Sequence, residues 1–256
     1  MCNITEKTSK KDTTSNIVTP FIHWMGGKSR LLRLLRQKLP TGFNNYYEPF
    51  IGGGALLFDL DPKNAYISDM NEELILTYQV IQKSAEKLIL DLNKHIMSAD
   101  YYYAIRNIDR DKEEFSKLTN VERASRFIYL TKAAFNGLYR VNKKGQHNAS
   151  FGTQESFNFN ADFLRATSKR LKNYDIKYKD FTDIKNKISK GDFVYFDPPY
   201  LNSNQNYTKE GFSLEHHIKL KELCDYIDSV GAYFMLSNSY NEDTINLFYE
   251  YNIDYI

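Results

Sequence analysis

The residues best suited to chemistry are Asp197, Pro198, Pro199 and Tyr200. They follow Phe193, Val194, Tyr195 and Phe196, a β-branched and aromatic run that suits a buried strand. Proline cannot donate to a sheet ladder, so Pro198 ends the pairing. Two consecutive fixed φ angles then stiffen the backbone. A carboxylate, a proline carbonyl and a phenol ring are thus set at the end of a strand. In open α/β sheets ligands bind at the carboxyl ends of the strands. An ordinary turn with an N-capping Asp would use the same residues, because Asp-Pro often starts turns.

Two glycine stretches upstream supply what such a site needs. Asn45 to Leu60 runs from a short aromatic strand through Gly52-Gly53-Gly54 into a helix from Ala55. Strand, glycine turn and helix N-terminus form the generic nucleotide-binding device of doubly wound sheets. A second strand, Ala65 to Asp69, ends in an acid, where such folds hold ribose hydroxyls. Gly26-Gly27-Lys28-Ser29 resembles a P-loop but lacks its first glycine, since Ile22 stands there. A glycine pair opening a helix still offers N–H groups to an anion, and Lys28 adds a charge. Helices are expected over Leu31–Leu39 and Asn71–Gln82.

From residue 84 the strand–helix rhythm stops. Ala85–Met97, Tyr101–Ile108 and Val121–Ala134 read as helices with no strand between them, an inserted, mainly helical unit. Between Val121 and Gly152 stand six basic residues (Arg123, Arg126, Lys132, Arg140, Lys143 and Lys144) and one acid, Glu122. The turn signals Asn136-Gly137 and Lys144-Gly145 flank Leu138–Val141 and predict a β-hairpin carrying Arg140, with lysines at its tip. A basic hairpin with Asn, Arg and aromatic groups suits contact with DNA. The rhythm resumes with a helix over Asn160–Leu171 and a strand at Asp175–Tyr178. After the central strand come a polar loop, Leu201–Gly211, a helix over Ser213–Ser229, a strand at Ala232–Leu236, a helix over Asn241–Glu250 and a strand starting at Tyr251.

Composition bounds the reading. The chain has 256 residues, 42% hydrophobic and 26% charged, which suits one large globular domain or a core with an insertion. A net charge of only +2 means that any nucleic-acid contact is local. Cys2 and Cys224 fit no metal or redox spacing. Residues 1–19 are polar, rich in Thr, Ser and Lys, and are expected to be a disordered arm without an apolar signal core. No apolar run is long enough to span a membrane, and a cytoplasmic location is the default expectation.

Taken together, FIHWMGGKSRLL, YYEPFIGGGALLFDL, SDMNEEL, AAFNGLYRVNKKGQHNASFG, DFVYFDPPY and YFMLSNS, in that order, resemble the Dam-type (D12 class) DNA adenine-N6 methyltransferases. The resemblance runs from about Pro20 to the last residue. It implies a doubly wound, Rossmann-like α/β sheet from residues 20–83 and 158–256, with a DNA target-recognition domain at 84–157. It implies S-adenosylmethionine (AdoMet) as methyl donor, no metal, and double-stranded DNA as partner. Trp24, Lys28, Gly52, Gly54, Asp69 and Asp197 would bind the donor, Lys28 through its carboxylate and Asp69 through its ribose. Asp197, Pro198, Pro199 and Tyr200 would handle a flipped adenine, and Phe135, Asn136, Leu138, Arg140 and Lys143 would contact DNA. GATC is the implied target, with a monomer and a cognate restriction endonuclease as the implied setting. The absence of a cysteine near the motif argues against cytosine-C5 methylation.

The sequence departs from the family pattern at His23, where relatives often carry Lys or Thr, and at Ala149-Ser150, where Val-Pro is common. Relatives also continue past the point matching Ile256 with the final strands of the sheet. One edge is therefore expected to be open, and the alternative reading is a truncated methyltransferase-like protein that binds DNA or AdoMet with weak or no turnover. A dinucleotide oxidoreductase would share the glycine turn but would leave the Asp-Pro-Pro-Tyr motif and the basic hairpin unexplained.

Overall fold

The computed structural model describes residues 18–200 and 212–255. Most of the expected N-terminal arm and the polar loop Leu201–Gly211 therefore lie outside the described residues. Five parallel strands form one sheet: β1 (Tyr46–Glu48), β2 (Ala65–Asp69), β3 (Asp175–Tyr178), β4 (Phe193–Phe196) and β5 (Tyr233–Leu236). Their spatial order is β3-β2-β1-β4-β5. The chain winds outward from β1 in one direction, then returns to β1 and winds out in the other. The reversal lies between β1 and β4, which pair Tyr46 with Phe193 and Tyr47 with Val194.

Side chains of a strand alternate between faces, and the two cores follow that alternation. Phe193 and Tyr195 join Tyr46, Ile67 and Ile176 in one core. Val194 and Phe196 join Tyr47, Phe181 and Ile184 in the other. The first face is covered by α2 (Ala55–Leu60), α3 (Glu72–Leu92) and α7 (Ala161–Leu171), which supply Leu57, Leu74, Ile81 and Leu164. Leu220, Leu223, Cys224 and Ile227 of α8 (Leu214–Ser229) cover the second. Buried on both faces, the central strand needs the continuous apolar run that the sequence carries.

The reversal is stitched by one acid. Asp192 is fully buried, and its carboxylate accepts N–H bonds from the Asn45 backbone (3.1 Å), Asn45 Nδ2 (2.9 Å) and the Ser189 backbone (2.9 Å). It fixes the start of β4 beside the start of β1.

Several boundaries differ from expectation. The leucine-rich N-terminal helix is short, α1 (Leu32–Arg36), behind a 3-10 turn at Lys28–Arg30. The helices expected at Asn71–Gln82 and Ala85–Met97 are one element, α3, broken at Ser84 (φ −145°, ψ 35°). Then come α4 (Ala99–Asn107), α5 (Lys112–Lys117), absent from the sequence reading, and α6 (Asn120–Ala133), opened by a capping box between Thr119 and Glu122. Ala124, Phe127 and Ile128 of α6 belong to the core of the sheet itself. Tyr102, Tyr129, Leu130, Ala133, Ala134 and Ala149 form a smaller core of their own. The helix α9 (Glu242–Phe248) ends the regular structure, and residues 251–255 form no strand.

Replacing Asp192 by Ala strands three donors in a buried site. Each orphaned donor costs about 1–3 kcal/mol, so the variant should lose about 3 kcal/mol or more in a urea unfolding curve.

Candidate active site

The glycine turn after β1 is shaped by contacts that no side chain could tolerate. Gly52 and Gly54 sit at φ +46° and +70°, in the left-handed region. A Cβ at Gly52 would lie 2.6 Å from Trp24 Cδ1, and one at Gly54 would lie 2.8 Å from the Tyr78 hydroxyl. Asp69, at the end of β2, ties the turn down. Its Oδ2 accepts the Gly52 N–H (3.1 Å) and its Oδ1 accepts the Asn71 N–H (2.9 Å). Burial pushes the Asp69 carboxyl up to about 6, against the backbone N–H groups that pull it down.

Asp197 leaves β4 at the opposite side of the reversal. The structure gives it a partner that the sequence reading had assigned elsewhere. Lys28 Nζ lies 2.5 Å from Asp197 Oδ1 and 2.6 Å from Oδ2, and donates to the Gly26 carbonyl at 2.7 Å. An ammonium has three donors. The Lys28 ammonium, expected on the donor's carboxylate, lies here against Asp197 and the Gly26 carbonyl. Lys28 is only 7% exposed. Burial drives its pKa down, yet the Asp197 carboxylate outweighs that and holds it above the usual lysine value. Burial pushes Asp197 up to about 6, with Lys28 pulling it down. Lys28 also lies 5.1 Å from the ring centroid of Tyr200.

Trp24 packs against this cluster from the N-terminal side. Its indole stacks on Tyr139 at 5.4 Å and lies 6.4 Å from Phe127. The carboxyl ends of the strands and side chains from residues 109–147 line a cleft of about 1420 Å³. Trp24, Lys28, Gly52, Gly54, Asp69, Asp197, Pro198, Pro199 and Tyr200 all line it. So do Glu48, Phe50, Met70, Tyr178, Asp180, Phe181 and Phe212, which the sequence reading missed. Asp180 and Phe181 stand just past β3, where the rule that selected Asp69 after β2 would also have found them. Glu48 is fully buried and accepts a bond from the Tyr46 hydroxyl (2.7 Å). Burial pushes its carboxyl up to about 8. Of the acids beside Lys28, Asp69 and Asp197 keep the lower values and are the carboxylates available to a ligand that carries positive charge.

The expected hairpin is smaller than its sequence suggests. Phe135–Gly137 forms a 3-10 turn with Asn136 at φ +56°. The pairing that remains is two isolated bridges, Ala134 to Phe151 at the base and Val141 to His147 near the tip, the latter flanked by the bonds Asn142 N–H to Gln146 O and Asn148 N–H to Arg140 O, both 2.9 Å. Phe135 is 52% exposed. Arg140 projects outward with Nε on Asn148 Oδ1 (2.8 Å) and Nη2 on Asn148 O (3.1 Å). Lys143 and Lys144 line the cleft, whereas Phe135, Asn136, Leu138 and Arg140 lie outside its lining. Two of the counted cations are structural. Arg126 is 6% exposed and pairs with Asp109, and Arg123 pairs with Glu72 and Glu73. Among the described residues no cluster of His, Cys, Asp and Glu is arranged to hold a metal, and no helix is long and apolar enough to cross a membrane.

A family model described as D12 class N6 adenine-specific DNA methyltransferase matches residues 24–255. The chain is 40% identical to a type II methyltransferase, M1.LlaDCHI of Lactococcus lactis subsp. cremoris, over 91% of this chain and 86% of the relative. It is 38% identical to the type II methyltransferase M.MjaIII of Methanocaldococcus jannaschii, over 91% and 88% of the two chains. A DNA adenine methylase of Haemophilus influenzae is 32% identical over 74% of this chain and 67% of its own.

The Lys28–Asp197 pair makes a prediction independent of any ligand. Titrating the Asp197 carboxyl carbon by NMR should give an apparent pKa near 6. Removing the counter-charge in Lys28→Met removes the downward pull, so the midpoint should move up. An unchanged midpoint would mean that the pair is not formed in solution.

Proposed function

The chain belongs to the D12 class N6 adenine-specific DNA methyltransferases, and from that premise we propose that it transfers a methyl group from AdoMet to adenine N6 in duplex DNA. The observation that carries this reading is the setting of Asp197. It lies at the strand-order reversal, in one cleft with the Gly52–Gly54 turn and Asp69. The cleft suits the donor. The glycine turn after β1, Asp69 at the end of β2 for ribose hydroxyls, and the Asp197 carboxylate all line it. In this reading Trp24, Gly52, Gly54 and Asp69 hold AdoMet, with Met70, Asp180 and Phe181 beside its adenine.

When bound, AdoMet supplies an electrophilic methyl group on a sulfonium. The residues of the chain prepare the nucleophile. The lone pair of adenine N6 is delocalised into the ring. Asp197 and the Pro198 carbonyl each accept one N6–H bond, which turns the lone pair out of the ring plane. Both acceptors also stabilise the positive charge that grows on nitrogen as its bond to the methyl carbon forms and the carbon–sulfur bond breaks; the sulfur leaves as a neutral thioether and the extra N6 proton passes to solvent. The Pro198-Pro199 unit holds its carbonyl rigidly. Tyr200 stacks on the base once it is flipped out of the duplex. Asp197 is the stronger acceptor while ionised, and Lys28 favours that state. Lys28 contacts each carboxylate oxygen once, and each oxygen keeps a second lone pair for N6. Holding both reactants in line supplies much of the rate.

Recognition is assigned to the 84–157 unit. Phe135 enters the duplex, Asn136 and Leu138 set the backbone, Arg140 reads a guanine edge, and Lys143 meets phosphate. Arg140 has five N–H donors, and Asn148 engages two, so donors remain for O6 and N7. GATC is the proposed site. The type II relatives support a restriction–modification setting with a cognate endonuclease, and we place the enzyme in the cytoplasm as a monomer.

Labelled AdoMet incubated with duplexes with and without GATC tests donor, target base and site together. Label should appear on adenine N6 of GATC duplexes. AdoMet binding without transfer to any duplex would sink the catalytic reading. Asp197→Ala should lower kcat by about 10²–10³-fold or more, the scale for losing one group that stabilises developing charge, with AdoMet affinity nearly kept. The wild-type rate should fall as pH drops through about 6, because protonated Asp197 is a weaker acceptor and no longer carries the charge that stabilises N6. A rate flat to pH 5 would contradict that role.

A further inference from the structure

Asp109 lies in the 3-10 turn Ile108–Arg110 between α4 and α5, and with Arg110, Arg126 and His147 it lines the cleft. Its side chain is 11% exposed. Oδ2 accepts the His147 backbone N–H at 2.9 Å and pairs with Arg126 Nη2 at 2.9 Å, while Oδ1 pairs with Arg110. Arg126 donates to the carbonyls of Ile105 and Arg106 at 2.9 Å each, closing the end of α4 and directing the rest of its charge at Asp109. The same wall grips the neighbouring carbonyls. Arg110 donates to His147 O, and Arg106 (3.2 Å) and the Tyr102 hydroxyl (3.1 Å) donate to Ala149 O.

All of these bonds reach the returning arm of the hairpin, residues 147–149. The outgoing arm, which carries Arg140, is held to the returning arm. Asn148 N–H bonds Arg140 O at 2.9 Å, and the Arg140 guanidinium itself rests on Asn148. The arms are otherwise joined by two isolated bridges, Val141 to His147 near the tip and Ala134 to Phe151 at the base, and a two-stranded hairpin is only marginally stable by itself. The direction of Arg140 therefore follows from where the returning arm is docked, and Asp109 supplies the central anchor of that docking. We propose that Asp109 is a positioning residue for sequence discrimination, acting through Arg140, a role that rests on Arg140 reading a base. Arg126 and Asp109, each counted by charge alone, would be taken for a DNA contact and a solvated acid. The geometry makes them a mount for the reader.

The test compares kcat/KM on the methylated duplex and on duplexes with each base pair of the site changed. The proteins are the wild type, Asp109→Ala, Asp109→Asn, Arg140→Ala and the Asp109→Ala/Arg140→Ala double variant. AdoMet affinity without DNA is measured alongside by calorimetry. Asp109→Ala should lose about tenfold to a hundredfold of the discrimination at the pair that Arg140 reads, the scale of one bidentate base contact. Asp109→Asn keeps an acceptor for the His147 N–H and should retain an intermediate ratio. In the Arg140→Ala background the second substitution should cost no further discrimination, because it acts through the missing side chain. AdoMet affinity should not move. Wild-type ratios in Asp109→Ala, an additive loss in the double variant, or a loss confined to AdoMet affinity would each overturn the proposal. If Asp109→Ala does not fold, Asp109→Asn decides, and a ratio equal to wild type counts against it. A wild-type enzyme that methylates no duplex would remove the underlying reading and this one with it, whereas the other outcomes strike this one alone.

Discussion

The site depends on one constraint, the parallel pairing of β1 with β4 where the winding of the sheet reverses. Two residue pairs, Tyr46 with Phe193 and Tyr47 with Val194, make that junction. Strands wound in opposite directions from it carry their crossover helices to opposite faces, so the loops above the junction part and leave a crevice. The glycine turn opens from one side and Asp197 from the other. Asp192 holds both strand starts in register with three N–H bonds. A slip of one residue would turn Tyr195 and Phe196 to the wrong cores and swing Asp197 out of the cleft.

The electrostatics of the crevice follow from that burial. Glu48, Asp69 and Asp197 are each pushed upward, to about 8, 6 and 6. Glu48 thus stays largely neutral at pH 7 while the other two remain mostly ionised. Lys28 balances Asp197 directly and is itself held protonated by it. A buried pair of this kind is weak evidence for stability, since desolvation opposes the attraction. Its value here is the charge state that it maintains on the one carboxylate at the strand reversal. Tyr200 lies over the same lysine, so ring and carboxylate share one cation.

Much of this was legible in the sequence because the sheet imposes strong local rules. A doubly buried strand needs an apolar run, proline ends it, and glycines mark the turn at β1. Asp69 was found by its place after β2, and Asp180 escaped only because the same rule was not applied after β3. What could not be read was partnership across long separations. Lys28 and Asp197 are 169 positions apart, and nothing in either neighbourhood encodes their contact. The break at Ser84 was hidden because helical periodicity continues on both sides of it. The hairpin was overestimated because turn signals predict where a chain reverses, not how many bonds follow.

The basic residues of the insertion show the same limit most clearly. Six cations over thirty-two positions read as one DNA-facing patch. In the fold they divide by depth. Arg126 is buried and satisfied by two carbonyls and Asp109, and Arg123 bonds the acids that open α3. Arg140, Lys143 and Lys144 remain at the surface. Charge counting treats these groups as equivalent, but a guanidinium with its donors used inside the protein adds little to the field that attracts phosphate. The exposed basic surface of this stretch is therefore narrower than the sequence count implies, and the arginines turned inward hold the fold instead.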